Sequence, residues 1–125
     1  MKINKINPFS DIPQDKLSYF AGIIDGEGYF EVRHETEKRR KKGYYPRIRI
    51  TIGNTFYPLI EWIKNIFGGY VGKDVLRSQK HKICYRLCIS NKNKIRCLLP
   101  LLLPYLIVKK EKAKDILDNW DSYIK

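Results

Sequence analysis

A chain of 125 residues and 14.9 kDa has material for one core and not for two. Its 43% hydrophobic content, with nine Tyr, five Phe and two Trp, excludes wholesale disorder. Lys and Arg number 25 against 13 Asp and Glu, and the net charge of +12 points first to DNA or RNA, with a ribosomal or membrane-surface role as the alternatives.

Residues 1–10 read as a polar, loosely held N-terminal arm on a single domain spanning 1–125. The opening MKINKINPF lacks a secretory apolar core. The longest apolar run, CLLPLLLPYLIV, holds two prolines and is too short for a bilayer. The expected setting is intracellular, either cytoplasm or an organelle matrix. Cys84, Cys88 and Cys97 show no Cys-x-x-Cys spacing, and His34 and His81 are the only histidines. Free thiols are therefore expected over a disulfide framework or a zinc site.

Asp11 and Pro13 mark a helix start. Leu17, Phe20, Ile23 and Ile24 recur at helical spacing, so a helix is expected from about Gln14 to Asp25, ended by Gly26 and Gly28. The alternation in Tyr29–Arg33 predicts a strand with Phe30 and Val32 on one face. After the charged turn ETEKRRKKG (35–43), residues 44–53 predict a second strand. There Ile48, Ile50 and Ile52 oppose Arg47, Arg49 and Thr51.

Asn54 and Thr55 read as a cap for a helix over 56–67, with Leu59, Ile60, Ile63 and Phe67 as its stripe and Gly68-Gly69 as its stop. Strands follow at 70–76 and 83–90, joined by a turn carrying Arg77, Lys80, His81 and Lys82. A helix over 91–99 is expected to break near Pro100 and Pro104, and a last helix runs from Lys109 to Tyr123. The order predicts an α+β domain with four antiparallel strands and helices on one face.

The uncovered sheet face would carry Tyr29, Glu31, Arg33, Arg47, Arg49, Arg86 and Ser90. Such a surface can lie in a major groove, where Arg takes guanine O6 and N7 while other cations hold phosphates; the plainer reading is a solvated outer face. Gly22 and Gly26 lie four apart on one helix face, a spacing that permits close helix–helix approach. Nothing else in the chain matches that helix, so its expected partner is the same helix in a second copy; packing within the domain is the rival. In a symmetric pair the two Glu27 carboxylates would be neighbours needing cations between them, and Mg²⁺ suits such oxygen ligands. The ordinary alternative has Asp25 and Glu27 bonding backbone amides.

FAGIIDGEG (20–28) resembles the LAGLIDADG motif of homing endonucleases. ITIGNTFYPLIEWIKNIFGGYV (50–71) resembles that family's strand, helix and Gly-Gly turn, and YRLCISNKNKIRCLLPLLLPYLIVKKEKA (85–113) its last strand and C-terminal helices. The resemblance implies an αββαββα fold with a saddle-shaped sheet lying along a long DNA site. A single motif implies a homodimer whose seam holds Phe20, Gly22, Ile23 and Gly26. It implies a Mg²⁺-dependent, intron-encoded endonuclease of a mobile element, cutting both strands of a near-palindromic site. Ca²⁺ would be able to bind without supporting cleavage.

By the resemblance Glu27, with Gly26, holds metal, although Glu replaces the commoner Asp and reaches further. Asp25 is the earlier, structural acid. Lys109, with Lys110 as its rival, is the basic residue that assists hydrolysis by offsetting developing charge, and Asn54 orders water, in competition with its reading as a helix cap. The expected DNA contacts are Tyr29, Glu31, Arg33, Arg47, Arg49, Thr51, Lys73, Arg77, Lys80 and Arg86. The same fold also serves intron RNA maturases and inactive DNA-binding relatives, the alternatives to cleavage.

Overall fold

In the computed structural model, residues 7–33, 47–76 and 82–124 are described. Helix α1 (Gln14–Glu27) leads into strand β1 (Gly28–Arg33), which pairs with β2 (Arg47–Asn54). Helix α2 (Tyr57–Phe67) and strands β3 (Tyr70–Leu76) and β4 (Lys82–Ile89) follow. Helix α3 (Lys92–Leu102), a 3-10 turn (Leu103–Tyr105), α4 (Lys110–Asp118) and α5 (Trp120–Ile124) complete the chain. The strands form one antiparallel sheet in the order β1-β2-β4-β3. Both hairpins are therefore joined through β2 and β4 at the centre.

The core lies between the sheet and its helices. Ile48, Ile50 and Ile52 of β2 and Leu87 and Ile89 of β4 meet Phe20 and Ile24 of α1, Ile60, Ile63 and Phe67 of α2, and Ile95, Leu98, Leu99 and Leu102 of α3. Phe20 is fully buried and stacks on Phe67 at 4.2 Å between ring centroids. That corrects its assignment to a dimer seam, because helical spacing turns position 20 into the protomer's own core.

Two glycines set the chain's turns. A Cβ on Gly28 would lie 3.1 Å from both the Ile24 Cα and the Thr51 carbonyl oxygen, so a side chain there would crowd the passage from α1 into β1. Gly69 has φ +103°, and a Cβ there would come within 2.8 Å of the Cys88 carbonyl oxygen.

Several boundaries differ from the sequence expectation. Helix α1 continues through Gly26 to Glu27, with Gly28 as C-cap. The N-cap of α2 is Phe56, in extended conformation, one residue beyond the expected Asn54-Thr55 cap. Pro100 lies inside α3 rather than breaking it. Pro100 and Arg96, whose carbonyl would have accepted its amide, are both exposed, so the freed carbonyl is on the solvent side. The expected last helix is two, divided at Asn119, whose side chain donates to the Asp115 carbonyl.

The arm is anchored from Asn7 onward. Asn7 donates to the Cys97 carbonyl at 2.9 Å and Phe9 is buried near Phe67. All three cysteines are free thiols. Among the described residues no helix is long and apolar enough to cross a membrane.

Candidate active site and nucleic-acid interface

The end of α1 collects the candidate catalytic groups. Glu27 is the last residue of the helix and is exposed. Pairing of Gly28 with Ile52 brings the end of β2 alongside it. There the Asn54 Nδ2 donates to Glu27 Oε1 at 2.6 Å, while Asn54 Oδ1 accepts the Phe56 amide at 2.7 Å. The Phe56 N–H requires an oxygen, which turns the amide NH₂ toward the carboxylate. Asn54 thus ties the backbone just before α2 to the Glu27 carboxylate.

On the other flank of α1, Asp25 accepts the Ile107 amide at 2.7 Å and the Lys109 amide at 3.0 Å. The Lys109 ammonium returns to the Asp25 carbonyl at 2.9 Å. A cation at the last carbonyls of a helix opposes the negative end of its dipole. Burial pushes the Asp25 carboxyl up, but the amides of Ile107, Lys109 and Val108 and the nearby ammonium outweigh it, and the net shift is downward. The ordinary reading of acids bonding backbone amides is therefore right for Asp25. Of the two candidate lysines, Lys109 is half-buried at the helix end, whereas Lys110 is exposed as the first residue of α4.

The donors fit a hard divalent cation. Glu27 offers a carboxylate open to solvent, and Gly26 lies in the last turn, where carbonyl oxygens lack an amide four residues ahead in the helix. Among the described residues no three His, Cys, Asp or Glu side chains cluster to hold a metal. Gly22 and Gly26 are exposed, and a Cβ on either would meet nothing within 4 Å. This glycine face is uncovered within the protomer; Ile23 beside it is half-buried and packs partly on the core.

The sheet face away from the core carries the expected pattern with corrections. Tyr29, Thr51, Cys88 and Tyr70 form one row across all four strands. With Arg49, Gly72 and Arg86 they line a concavity of about 220 Å³. Glu31 accepts from Arg49 Nη2 at 2.6 Å and Nε at 2.9 Å, and Arg47 lies 4.0 Å from it. Arg86 is paired with Asp74 at 2.6 Å. Arg33 ends β1 opposite Arg47.

Lys73 does not belong to this surface: it pairs with Tyr85, whose side-chain parity is that of Leu87 on the helix-covered face. Thr51 is 4% exposed, so it lies at the floor of the concavity instead of offering a free contact. Arg77 and Lys80 lie outside the described residues. Tyr70 and Asp74 were not expected here, although alternation in YVGKDVL puts Tyr70, Gly72 and Asp74 on one side. Gly72 lies beside Arg86, and a Cβ there would meet its Nη2 only at 4.0 Å, an ordinary contact.

Comparison with known proteins agrees with this architecture. The chain matches the LAGLIDADG endonuclease family over residues 20–122. The homing endonuclease I-CvuI, solved with its DNA target in the presence of calcium, superposes with a TM-score of 0.65 at 24% identity, over 84% of this chain and 65% of that one. The archaeal intron-encoded homing endonuclease I-Vdi141I, solved with DNA, gives 0.63 at 23% identity over 86% and 69%. I-TnaI gives 0.61 at 24% identity over 89% and 75%. This chain thus spans about two-thirds of the length of I-CvuI. No curated protein matches it. A motif ending in a solvent-open carboxylate, a four-stranded antiparallel sheet with its helices on one face, and a family match over nearly the whole chain lead to one conclusion: the chain belongs to the LAGLIDADG endonuclease family.

Proposed function

We propose that the chain is a homodimeric, site-specific homing endonuclease that hydrolyses both strands of a near-palindromic duplex with a divalent cation, Mg²⁺ by preference. The observation that carries this reading is the exposed Glu27 at the foot of an uncovered glycine face, held by Asn54 at 2.6 Å. A two-fold axis beside that face would bring two such carboxylates together at the DNA dyad. I-CvuI and I-Vdi141I, both solved with DNA, support duplex DNA as the partner.

Glu27 and the Gly26 carbonyl of each protomer would hold the cation, which when bound supplies Lewis acidity to the phosphate. The remaining work falls to the chain. The second N–H of the Asn54 amide is left to order a water beside Glu27. Lys109, fixed at the helix end, keeps two ammonium protons for the charge that develops on phosphate oxygens. Arg47, Arg49 and Arg86 lie on the face that would follow the groove, and their phosphate contacts would release counterions.

The test is cleavage of a randomised duplex library with Mg²⁺ against a Ca²⁺ control, with the cut ends sequenced. Staggered cuts around a partly palindromic motif, lost in Glu27→Gln, are the expected result. Duplex binding without cuts would make the chain an inactive relative, and preference for intron RNA at matched salt would make it a maturase.

A further inference from the structure

Among the described residues, two exposed apolar features flank α1. Ile107 is 84% exposed and Val108 72%, although both belong to a segment whose backbone Asp25 fixes through the Ile107 and Lys109 amides. These side chains are held out in a defined position. Elsewhere beside the same helix, Tyr19, Phe56, Pro58, Leu59 and Trp62 line a largely apolar groove of about 720 Å³. Phe56 is 64% exposed and Tyr19 57%, with Tyr19 set edge-on to Trp62 at 5.2 Å.

The two features lie on opposite flanks of the glycine face. At 3.6 residues per turn, Asp25 points about 80° to one side of the Gly22–Gly26 line, and Glu27 about 120° to the other. Asp25 carries the Ile107–Val108 knob, whereas Tyr19 and Glu27 face the groove through Trp62 and Asn54. Rotation by 180° about an axis alongside α1 sets each flank of one copy against the opposite flank of the other. The knob of each protomer then faces the groove of its partner, as a self-complementary interface requires.

We infer that Ile107 and Val108 of one protomer seat against Phe56 and its groove in a second copy of this chain, so that two such contacts lock the dimer on either side of the glycine seam. This rests on the homodimeric reading above and adds the contact that fixes its register. The Asp25 clamp then has a second consequence: the segment that places Lys109 also sets how the two sites face one another.

Sedimentation equilibrium of the full chain tests this with Ile107→Glu and Phe56→Lys, alone and mixed. Both positions are exposed in the protomer, so melting of each variant checks that folding is intact. Each variant alone should raise the dimer dissociation constant on the order of 100-fold. An equimolar mixture should recover dimer, because one contact becomes a Glu–Lys pair and the other remains Ile–Phe. Variants that dimerise like the parent, or a mixture that stays monomeric, overturn the interlock and leave the homodimer standing. A parent chain that is monomeric both free and on DNA overturns the homodimer and the interlock together.

Discussion

Asp25 and Lys109 hold each other by two reciprocal bonds: the Asp25 carboxylate accepts the Lys109 amide at 3.0 Å, and the Lys109 ammonium donates to the Asp25 carbonyl at 2.9 Å. The carboxylate therefore acts on Lys109 by placing it. Asp25→Asn keeps one acceptor oxygen but removes the charge, and should cost about 1 kcal/mol at neutral pH. The Asp25 carboxyl is depressed in the folded chain below its ordinary 3.8. Its contribution is then complete above the unfolded value and is lost as pH falls through the folded one. Urea melts from pH 6 to pH 2.5 should show the difference between parent and variant shrinking toward the acid end. A difference that stays constant would remove the charge from the explanation. Cleavage should fall about tenfold as Lys109 loosens, with DNA affinity kept.

Asn54 separates support of the fold from support of the site. Asn54→Ala loses both its bonds, to Glu27 and to the Phe56 amide, and should lower stability by about 1–2 kcal/mol together with cleavage. Asn54→Asp keeps the acceptor for Phe56 but sets a second carboxylate beside Glu27. Thermal melting at pH 7 should then fall less than in Asn54→Ala, while Mg²⁺-dependent cleavage changes sharply. Equal losses in melting and cleavage for both variants would make Asn54 a structural residue only.

The outline of this fold was legible because its signals are periodic. Ile48, Ile50 and Ile52 at spacing two, and Ile60, Ile63 and Phe67 at helical spacing, predict the buried faces that occur. The Gly68-Gly69 stop also occurs, with both residues at positive φ. The misses arise where a tertiary neighbour decides. Phe20 has the same motif position as a seam residue, yet the aromatic Phe67 across the core takes it. Lys73 looks like one more cation beside Arg86, but one step of register puts it on the other face. Pro100 fits inside α3 because its free carbonyl partner faces outward, which composition does not reveal. The partners of Arg49 and Arg86, namely Glu31 and Asp74, come from neighbouring strands 18 and 12 residues away and are visible only once register is known.

Those ion pairs predict a charge reserve on the sheet face. In the protein without DNA, Arg49 is tied to Glu31 and Arg86 to Asp74. Asp74→Asn should release Arg86, tighten nonspecific duplex binding and steepen the slope of log affinity against log salt by about one. Glu31→Gln should act likewise through Arg49 and Arg47. Fluorescence anisotropy across 50–300 mM salt measures both. An unchanged slope would mean that these arginines never meet phosphate.

Gly22 gives the cleanest separation between the protomer and its assembly. It lies in the middle of α1, it is exposed, and a Cβ there would touch nothing within 4 Å. In an isolated protomer such a glycine only weakens the helix, so Gly22→Ala should stabilise folding by about 1 kcal/mol. In a dimer seam the same methyl group would hold the two backbones apart, and Gly22→Leu should do so more strongly. The expected pattern is a melting temperature that holds or rises at concentrations where the parent is monomeric, with dimer formation and cleavage both falling from Gly to Ala to Leu. Sedimentation and cleavage on the same samples measure this order. A Leu variant that dimerises and cuts like the parent would show that the glycine face is ordinary solvent-exposed helix, and would move the two Glu27 carboxylates away from a shared axis.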